Sequence, residues 1–561
     1  MSDIPTRSIV VALDFGTTFS GVAWAQTSNP SVHYIINQWP QDKAGSIGGM
    51  TSEKVPTEIA YEYTQSTPSS LWGFQIPEAM PRHQWIKLGL CLDQKVAASS
   101  RPSATYVDPR RASMPHHTTP EGLVTDYLRC LKEHITDHMK SKIGAAFEGM
   151  AFEYVITVPA MWPDKAKMAT LECAESAGLG KSSRIRVISE PEAAACHSLR
   201  AANPHGLEVD DTIIICDAGG GTVDLITFSI VELEPSLCLK EQAAGEGGLC
   251  GSSYLNRRFE EFLEEKLSSS PGWGNDTLEE ATNRFETVAK RTFKGNLNSD
   301  FMVPVPGIAD NEAIGVKRGR LCITGQEMIS LFQPIVEDIR ILVKNQVSVS
   351  RKKVKSIFLV GGFGQSPYLR KYLLEAFSPE ITVLAPVDGW TAVVRGALSK
   401  TMGEICPLAT QSMVESRVAR KHYGTLIQKK FTSGVHVIKK RYWDDFRGEY
   451  VIDVMRWFIQ KRDDIKEDEP IKSSWYQRQL QRKGNFNSIR VSFYELDLPA
   501  GERVPLYFNR QMKQHAVLHP RLGRIEQGRI PVCYGCDGES YYKISYEIHA
   551  SYFSAHCEYS L

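Results

Sequence analysis

The sequence predicts an α/β protein built as two similar lobes and followed by a small β-rich domain. Three observations lead there. One strand–turn–strand phrase rich in Asp, Gly and Thr occurs twice, as SIVVALDFGTTFSGVAWA at Ser8–Ala25 and as TIIICDAGGGTVDLITFSI at Thr212–Ile230. Segments of helical periodicity occupy the chain between and after the two copies. Beyond Leu398 the pattern changes to alternating, strand-like runs.

Each copy reads as a buried β-branched strand, an Asp at its end, a turn of glycines and threonines, then a second strand. Gly16, Gly219, Gly220 and Gly221 let backbone N–H groups approach phosphate oxygens that a Cβ would hold off. Asp14, Asp217 and Asp224 carry charge suited to a hydrated Mg²⁺, with Asp224 adding negative potential below the site. Thr17, Thr18 and Thr222 offer hydroxyl donors to phosphate oxygens. Either copy alone reads equally well as an ordinary hairpin, and an Asp ending a strand also caps a turn. The repetition favours two loops gripping one nucleotide from opposite sides. A strand follows each turn, so neither the GxxxxGK[ST] loop nor a GxGxxG helix opening is present at these two turns.

In chain order, helical periodicity is read at Gly122–Met139, Pro163–Gly178, Glu190–Arg200, Ser252–Leu267, Leu278–Lys294 and Thr324–Val347. Thr324 with Glu327 makes a capping box, and Gly178 closes the second helix. Asn37–Ser69 and Ala98–Thr119 are rich in Pro, Gly, Ser and Thr and are read as loops. Lobe I is assigned to residues 1–190, lobe II to 191–402 and the β-rich domain to 403–561. In that last part SIRVSFYELDL, VPLYFNR and YYKISYEIHASYF are read as strands, and the charged run Lys461–Pro470 as a solvated loop.

Composition narrows the function classes. The 561 residues are 42% apolar, enough for sizeable cores. Lys plus Arg equals Asp plus Glu at 65 each, so no global basic field recruits nucleic acid. No run approaches the ~20 apolar residues of a bilayer span, and the N-terminus lacks a signal-peptide pattern. A soluble protein of the cytoplasm, or also of the nucleus, is expected. The twelve cysteines are scattered, which suits reduced, buried thiols. Cys533 and Cys536, with His556 and Cys557, have spacing that invites zinc, yet adjacent His and Cys on a strand face opposite ways.

The two phosphate phrases resemble the nucleotide-binding domain of the 70-kDa heat-shock protein family, within the actin-like ATPase superfamily. Three further segments fall in that family's order: the connecting strand and helix at Val155–Leu179, VISEPEAAACHSL at Val187–Leu199, and SIFLVGGFGQSPYLRKYLLEAF at Ser356–Phe377. The match covers residues 8–402. GGFGQSPYL, SRVARKHYGT at Ser416–Thr425 and MRWFIQKRDDI at Met455–Ile465 look like the family's divergent twelfth class. The resemblance implies a fold of duplicated, ribonuclease-H-like lobes.

It also implies roles. Glu190 stands where the family keeps an active-site Glu, although a Glu opening a helix ahead of Pro191 also suits the helix dipole. Lys87 is the candidate, by order along the chain, for a Lys near the γ-phosphate. Lys290, Arg291, Gly361 and Gly362 match the adenosine side, where basic stems can stack on the base. Phe363 and Gln365 stand where the stress chaperones have Ser and Arg, and Lys294 replaces a Ser. The leucine-rich linker, helical lid and acidic tail of those chaperones have no counterpart. The implied function is a slow Mg²⁺-dependent ATPase, with ATP and ADP as ligands. As a monomer it would couple nucleotide state to protein clients or signalling partners through the C-terminal domain. A low-turnover nucleotide-sensing scaffold is the alternative, and a small-metabolite kinase on the same fold the third reading.

Overall fold

Ser8–Asp14 and Thr212–Ala218 each form a strand buried at every position, which is why both read as continuous apolar runs without alternation. The computed structural model in which they are seen describes residues 8–41, 50–63, 68–77, 80–91, 118–181, 184–201, 206–406, 412–467, 469–483, 490–499, 502–519, 529–553 and 557–560. The chain divides into two compact units, residues 1–413 and 414–561.

The first unit holds two sheets of one topology. In the first, Ser8–Asp14 pairs antiparallel with Phe19–Gln26, which pairs with Tyr34–Ile35. On its other side Ser8–Asp14 runs parallel to Ala151–Val158, and that strand parallel to Arg186–Ser189. In the second, Thr212–Ala218 pairs antiparallel with Val223–Glu232 and then Leu237–Gly248. Its other neighbours, Val354–Val360 and Thr382–Leu384, are parallel. Taken in chain order, the five strands named in each sheet run fifth, fourth, first, second, third in both. The repeated phrase is thus the visible part of a repeated lobe.

Each lobe's last strand is followed by a helix, Glu190–Ala201 in one and Ala392–Ile405 in the other, and the two helices pack on each other. They cross so closely that a Cβ on Gly396 would stand 1.6 Å from the Ala193 carbonyl oxygen. Lys400 reaches the buried Glu192 carboxylate at 3.2 Å across the crossing. Gly325–Val349 packs on the second sheet, and with Ser252–Leu267 and Asn275–Arg284 it encloses a core around Phe259, Phe285 and Phe332.

The expected helices are present, with one change of character. The Leu278–Lys294 reading is a helix over Asn275–Arg284, a π turn at Phe285–Ala289 and a last turn at Lys290–Thr292. Thr324 caps Gly325–Val349 with the reciprocal Thr324–Glu327 bonds of the capping box. The loop reading of Asn37–Ser69 is corrected: Glu58–Tyr63 is a strand paired with Pro68–Trp72, and Val55–Pro56 bridges to Phe19–Ser20. The alternation in EIAYEY is too short to stand out from its polar flanks. Most of the other expected loop, residues 98–117, lies outside the described residues.

The second unit is a β-sandwich. One antiparallel sheet orders Tyr442–Asp444, Glu449–Ile459, His422–Lys430, Val491–Leu496 and Lys513–Leu518. The other pairs Ile471–Leu480, Val532–Tyr534 and Cys557–Ser560 around Ser540–Tyr552. Val491, Phe493 and Ile548 meet between them, with Trp475 and Tyr559 packed against that core. Single helical turns lie at Ile438–Lys440 and Gln481–Lys483. Two expectations are corrected. VPLYFNR is not a strand, since Pro505 has no N–H to give a ladder. The charged run Lys461–Pro470 is not wholly solvated: Asp464–Lys466 pairs with Ser416–Val418, and Ile465 enters the core.

Candidate functional site

The two repeated turns face each other across a cleft of about 390 Å³ in the first unit. Register explains the convergence. Asp14 ends its strand opposite Gly21, and Asp217 lies opposite Asp224, so both hairpins place an Asp beside a glycine-rich turn. A Cβ on Gly220 would stand 2.1 Å from Thr18 Oγ1, and one on Gly221 would stand 2.6 Å from Thr17 Cγ2. Only glycine lets the second turn come this near the threonines of the first. The second turn is tied to the helix Ser252–Leu267, whose first residue donates its N–H to the Gly219 carbonyl at 3.1 Å.

Most of the expected residues meet here. Asp14, Gly16, Thr17, Thr18, Lys87 and Glu190 border the cleft from the first lobe. From the second come Asp217, Gly219, Gly220 and Thr222 around the phosphate end, and Lys290, Arg291, Gly361 and Gly362 at the far end. Two expected residues do not reach the cleft wall. Gly221 packs behind it against Thr17. Asp224 is buried below the turn, where the N–H of Met161 donates to it at 3.5 Å. That position is the one expected of a residue adding negative potential below the site. Cys533 and Cys536 join no metal-binding group among the described residues; Cys533 Sγ instead donates to the Tyr541 carbonyl at 3.6 Å, and His556 lies outside those residues.

Lys87 is not a surface lysine. Its ammonium donates to Glu190 Oε1 and lies 5.5 Å from the Trp162 ring centroid. Burial pushes the Glu190 carboxyl up to about 7, opposed by Lys87 and reinforced by the carboxylates of Asp224 and Asp14. Burial also holds Asp217 well above the usual carboxylate range, with Glu190, Asp14 and Asp224 adding to it. Crowded oxygen donors of this kind suit a hard dication such as Mg²⁺, which would relieve their mutual repulsion. The donor set therefore fits the metal.

At the far end the π turn sets Lys290 where its ammonium meets Asn256 Oδ1 at 2.8 Å and Glu286 Oε1 at 3.4 Å. Gly361 takes φ +82°, and a Cβ there would stand 2.4 Å from Asp217 Oδ1. Phe363 packs on the core and Gln365 donates to the Pro386 carbonyl at 3.4 Å, and both also border the cleft.

Lys54 and Trp390 also border the cleft, and no motif in the sequence announces either. Lys54 Nζ donates to Asp14 Oδ2 at 2.5 Å, and Thr157 Oγ1 donates to Asp14 Oδ1 at 3.2 Å. Trp390 borders the cleft beside Gly362 and meets Phe19 edge-on, at 5.8 Å between centroids. Lys54 sits one residue before a two-residue bridge, too short to signal itself in sequence.

Two lobes of one topology closing on such a cleft define the class: an actin-like ATPase domain followed by a β-rich region. The sequence profile described as "Hsp70 protein" matches residues 106–401, and the chain belongs to the Hsp70 family. It is 24% identical to Heat shock 70 kDa protein 12A of Mus musculus, over 85% of this chain and 80% of that protein. It is 24% identical to Heat shock 70 kDa protein 12B of Homo sapiens, over 83% of this chain and 78% of that protein. Chaperone protein DnaK of Nitrosopumilus maritimus is 26% identical over 46% of this chain and 39% of its own length. Similarity to the divergent twelfth class thus runs along most of the chain, and family membership supports ATP and ADP as ligands. Among the described residues no helix is long and apolar enough to cross a membrane.

Proposed function

We propose that this protein is a slow, Mg²⁺-dependent ATPase whose nucleotide state governs the binding of protein partners by its β-rich domain. One observation carries the reading: two glycine–threonine turns from separate lobes converge on one cleft that also holds Asp14, Lys87, Glu190 and Asp217. Phosphoryl transfer asks mainly for positioning and charge neutralisation, which is what this set supplies. Asp14 and Asp217 hold the hydrated cation, and Thr17, Thr18 and Thr222 donate to phosphate oxygens. Lys87 stands toward the γ-phosphate, Glu190 orients the attacking water, and Lys290 and Arg291 flank the adenine opposite Gly361 and Gly362. Mg²⁺ bound there supplies neutralising charge to the transferring phosphoryl group.

The partner surface is sought in the second unit. Val435 is 67% exposed, Ile438 59% and Trp443 51%, and the Val437 N–H meets Tyr507 Oη at 3.0 Å beside exposed Leu506 and Phe508. Such grouped apolar exposure marks interaction surfaces. Ile471–Leu480 and Lys513–Leu518 are sheet edges open to strand addition. All twelve cysteines are free thiols, which suits a reducing cytoplasmic or nuclear setting, and we take a single chain as the working unit.

The test is ATP turnover by the purified protein with Mg²⁺, alongside calorimetric binding of ATP and ADP. Turnover that vanishes in Asp217→Asn supports hydrolysis; turnover unchanged in both Asp217→Asn and Glu190→Gln overturns the site assignment. A low-turnover nucleotide sensor is the second reading. It is favoured by Phe363 and Gln365, which border the adenosine end of the cleft where the resemblance leads one to expect Ser and Arg, so that a hydroxyl and a guanidinium are missing there. Tight binding without turnover would establish it.

A further inference from the structure

Lys54 is held with more structure than a chance neighbour of Asp14 needs. Its side chain is 8% exposed and its partner carboxylate 6%, and both residues border the cleft with Gly16 and Thr17. The lysine stem lies across Gly21: a Cβ there would stand 3.3 Å from both its Cγ and its Cε. Gly21 is the register partner of Asp14, so this glycine opens the slot that delivers the ammonium to that carboxylate. The backbone around Lys54 is fixed to the same hairpin. Val55 and Pro56 pair with Ser20 and Phe19, and the Thr57 N–H donates to the Thr18 carbonyl at 2.8 Å. The other cleft-end lysine, Lys87, is engaged by Glu190, so each lysine answers a different carboxylate.

We propose that Lys54 is a built-in counter-ion that carries part of the positive charge a divalent cation brings to Asp14. The cleft then takes nucleotide phosphates without a metal ion. With Mg²⁺ present, Asp14 would be neutralised by the cation instead, and the contribution of Lys54 to nucleotide binding would fall. This rests on the nucleotide reading above and adds to it a particular dependence on metal.

The experiment is calorimetric ATP binding to the full chain in excess EDTA and in excess Mg²⁺, for the wild type, Lys54→Met and Lys54→Arg. The wild type should keep its EDTA affinity within about tenfold of its Mg²⁺ affinity. Loss of one charge-assisted contact corresponds to about tenfold or more, so Lys54→Met should lose that much in EDTA and no more than about threefold in Mg²⁺. Lys54→Arg should retain most of the EDTA affinity. A wild type that binds ATP only with Mg²⁺ overturns the inference, whatever the variants do, and leaves the nucleotide reading intact. An equal loss in both conditions makes Lys54 a structural residue and overturns it too. No ATP binding in either condition would instead sink the nucleotide reading itself.

Discussion

Asp217 shows how the site stores instability until a ligand arrives. Its folded carboxyl holds a proton more tightly than the unfolded one, through burial and then the neighbouring Glu190, Asp14 and Asp224. Stability is therefore lost as pH rises from the ordinary carboxylate value toward the folded one. Asp217→Asn removes that dependence. Without nucleotide the variant should melt above the wild type, and the gap should widen from pH 5 to pH 8; a constant or shrinking gap would contradict the crowding described here. Gly361 guards the same carboxylate. Gly361→Ala adds a Cβ 2.4 Å from Asp217 Oδ1 at φ +82°, so a destabilisation of about 1–3 kcal/mol is expected, together with weaker ATP binding. Urea unfolding and calorimetry would check both. At this scale Asp14, Asp217 and the glycines were legible because their pattern repeats. Lys87 was placed only by order along the chain. Lys54 was not legible, because its position depends on a bridge between Val55–Pro56 and Phe19–Ser20.

Among the elements, the helix crossing and the π turn matter most. At the crossing Gly396 lies against Ala193, and Gly396→Val would force apart the helices that join the lobes. A loss of about 3 kcal/mol is expected from such overpacking, with ATP affinity falling as well because the lobes' spacing sets the cleft width. Unchanged stability would show the crossing to be loose. At Thr324 the capping box is a purely local device. Thr324→Ala should lower stability by about 1 kcal/mol in urea unfolding and leave ATP binding unaltered. Helices were legible where a cap or a 3.6 period announced them, as at Thr324. The turn Phe285–Ala289 was not, because Phe285 keeps its core position while the extra residue in the turn re-aims Glu286 and Lys290 toward Asn256. Pro505 ended a strand that the apolar residues of VPLYFNR had promised.

For the whole molecule, the described units make a prediction of independence. A chain ended at residue 413 should fold and bind ATP within about threefold of the full protein, since every cleft residue lies in the first unit; a fragment that cannot bind would place part of the site's support in the second unit. That the chain holds two similar lobes was legible from one repeated phrase, whereas the strand order within them was not. The β-sandwich was legible only as β-rich, because edge and core strands there share the same short alternation. One feature of the first unit also governs how the protein comes into being. The helix Ala392–Ile405 packs on Ser8–Asp14, Phe19–Gln26 and Ala151–Val158, and Cys406 Sγ closes the seam by donating to the Thr27 carbonyl at 3.7 Å. A ribosome adding roughly 5–20 residues per second reaches that helix on the order of half a minute after the opening hairpin has emerged. For that interval the first sheet has an apolar face with nothing to cover it. The newborn chain is then itself in need of a holding partner, and nascent chains stalled before residue 392 should be cut by protease where chains stalled well beyond residue 406 resist.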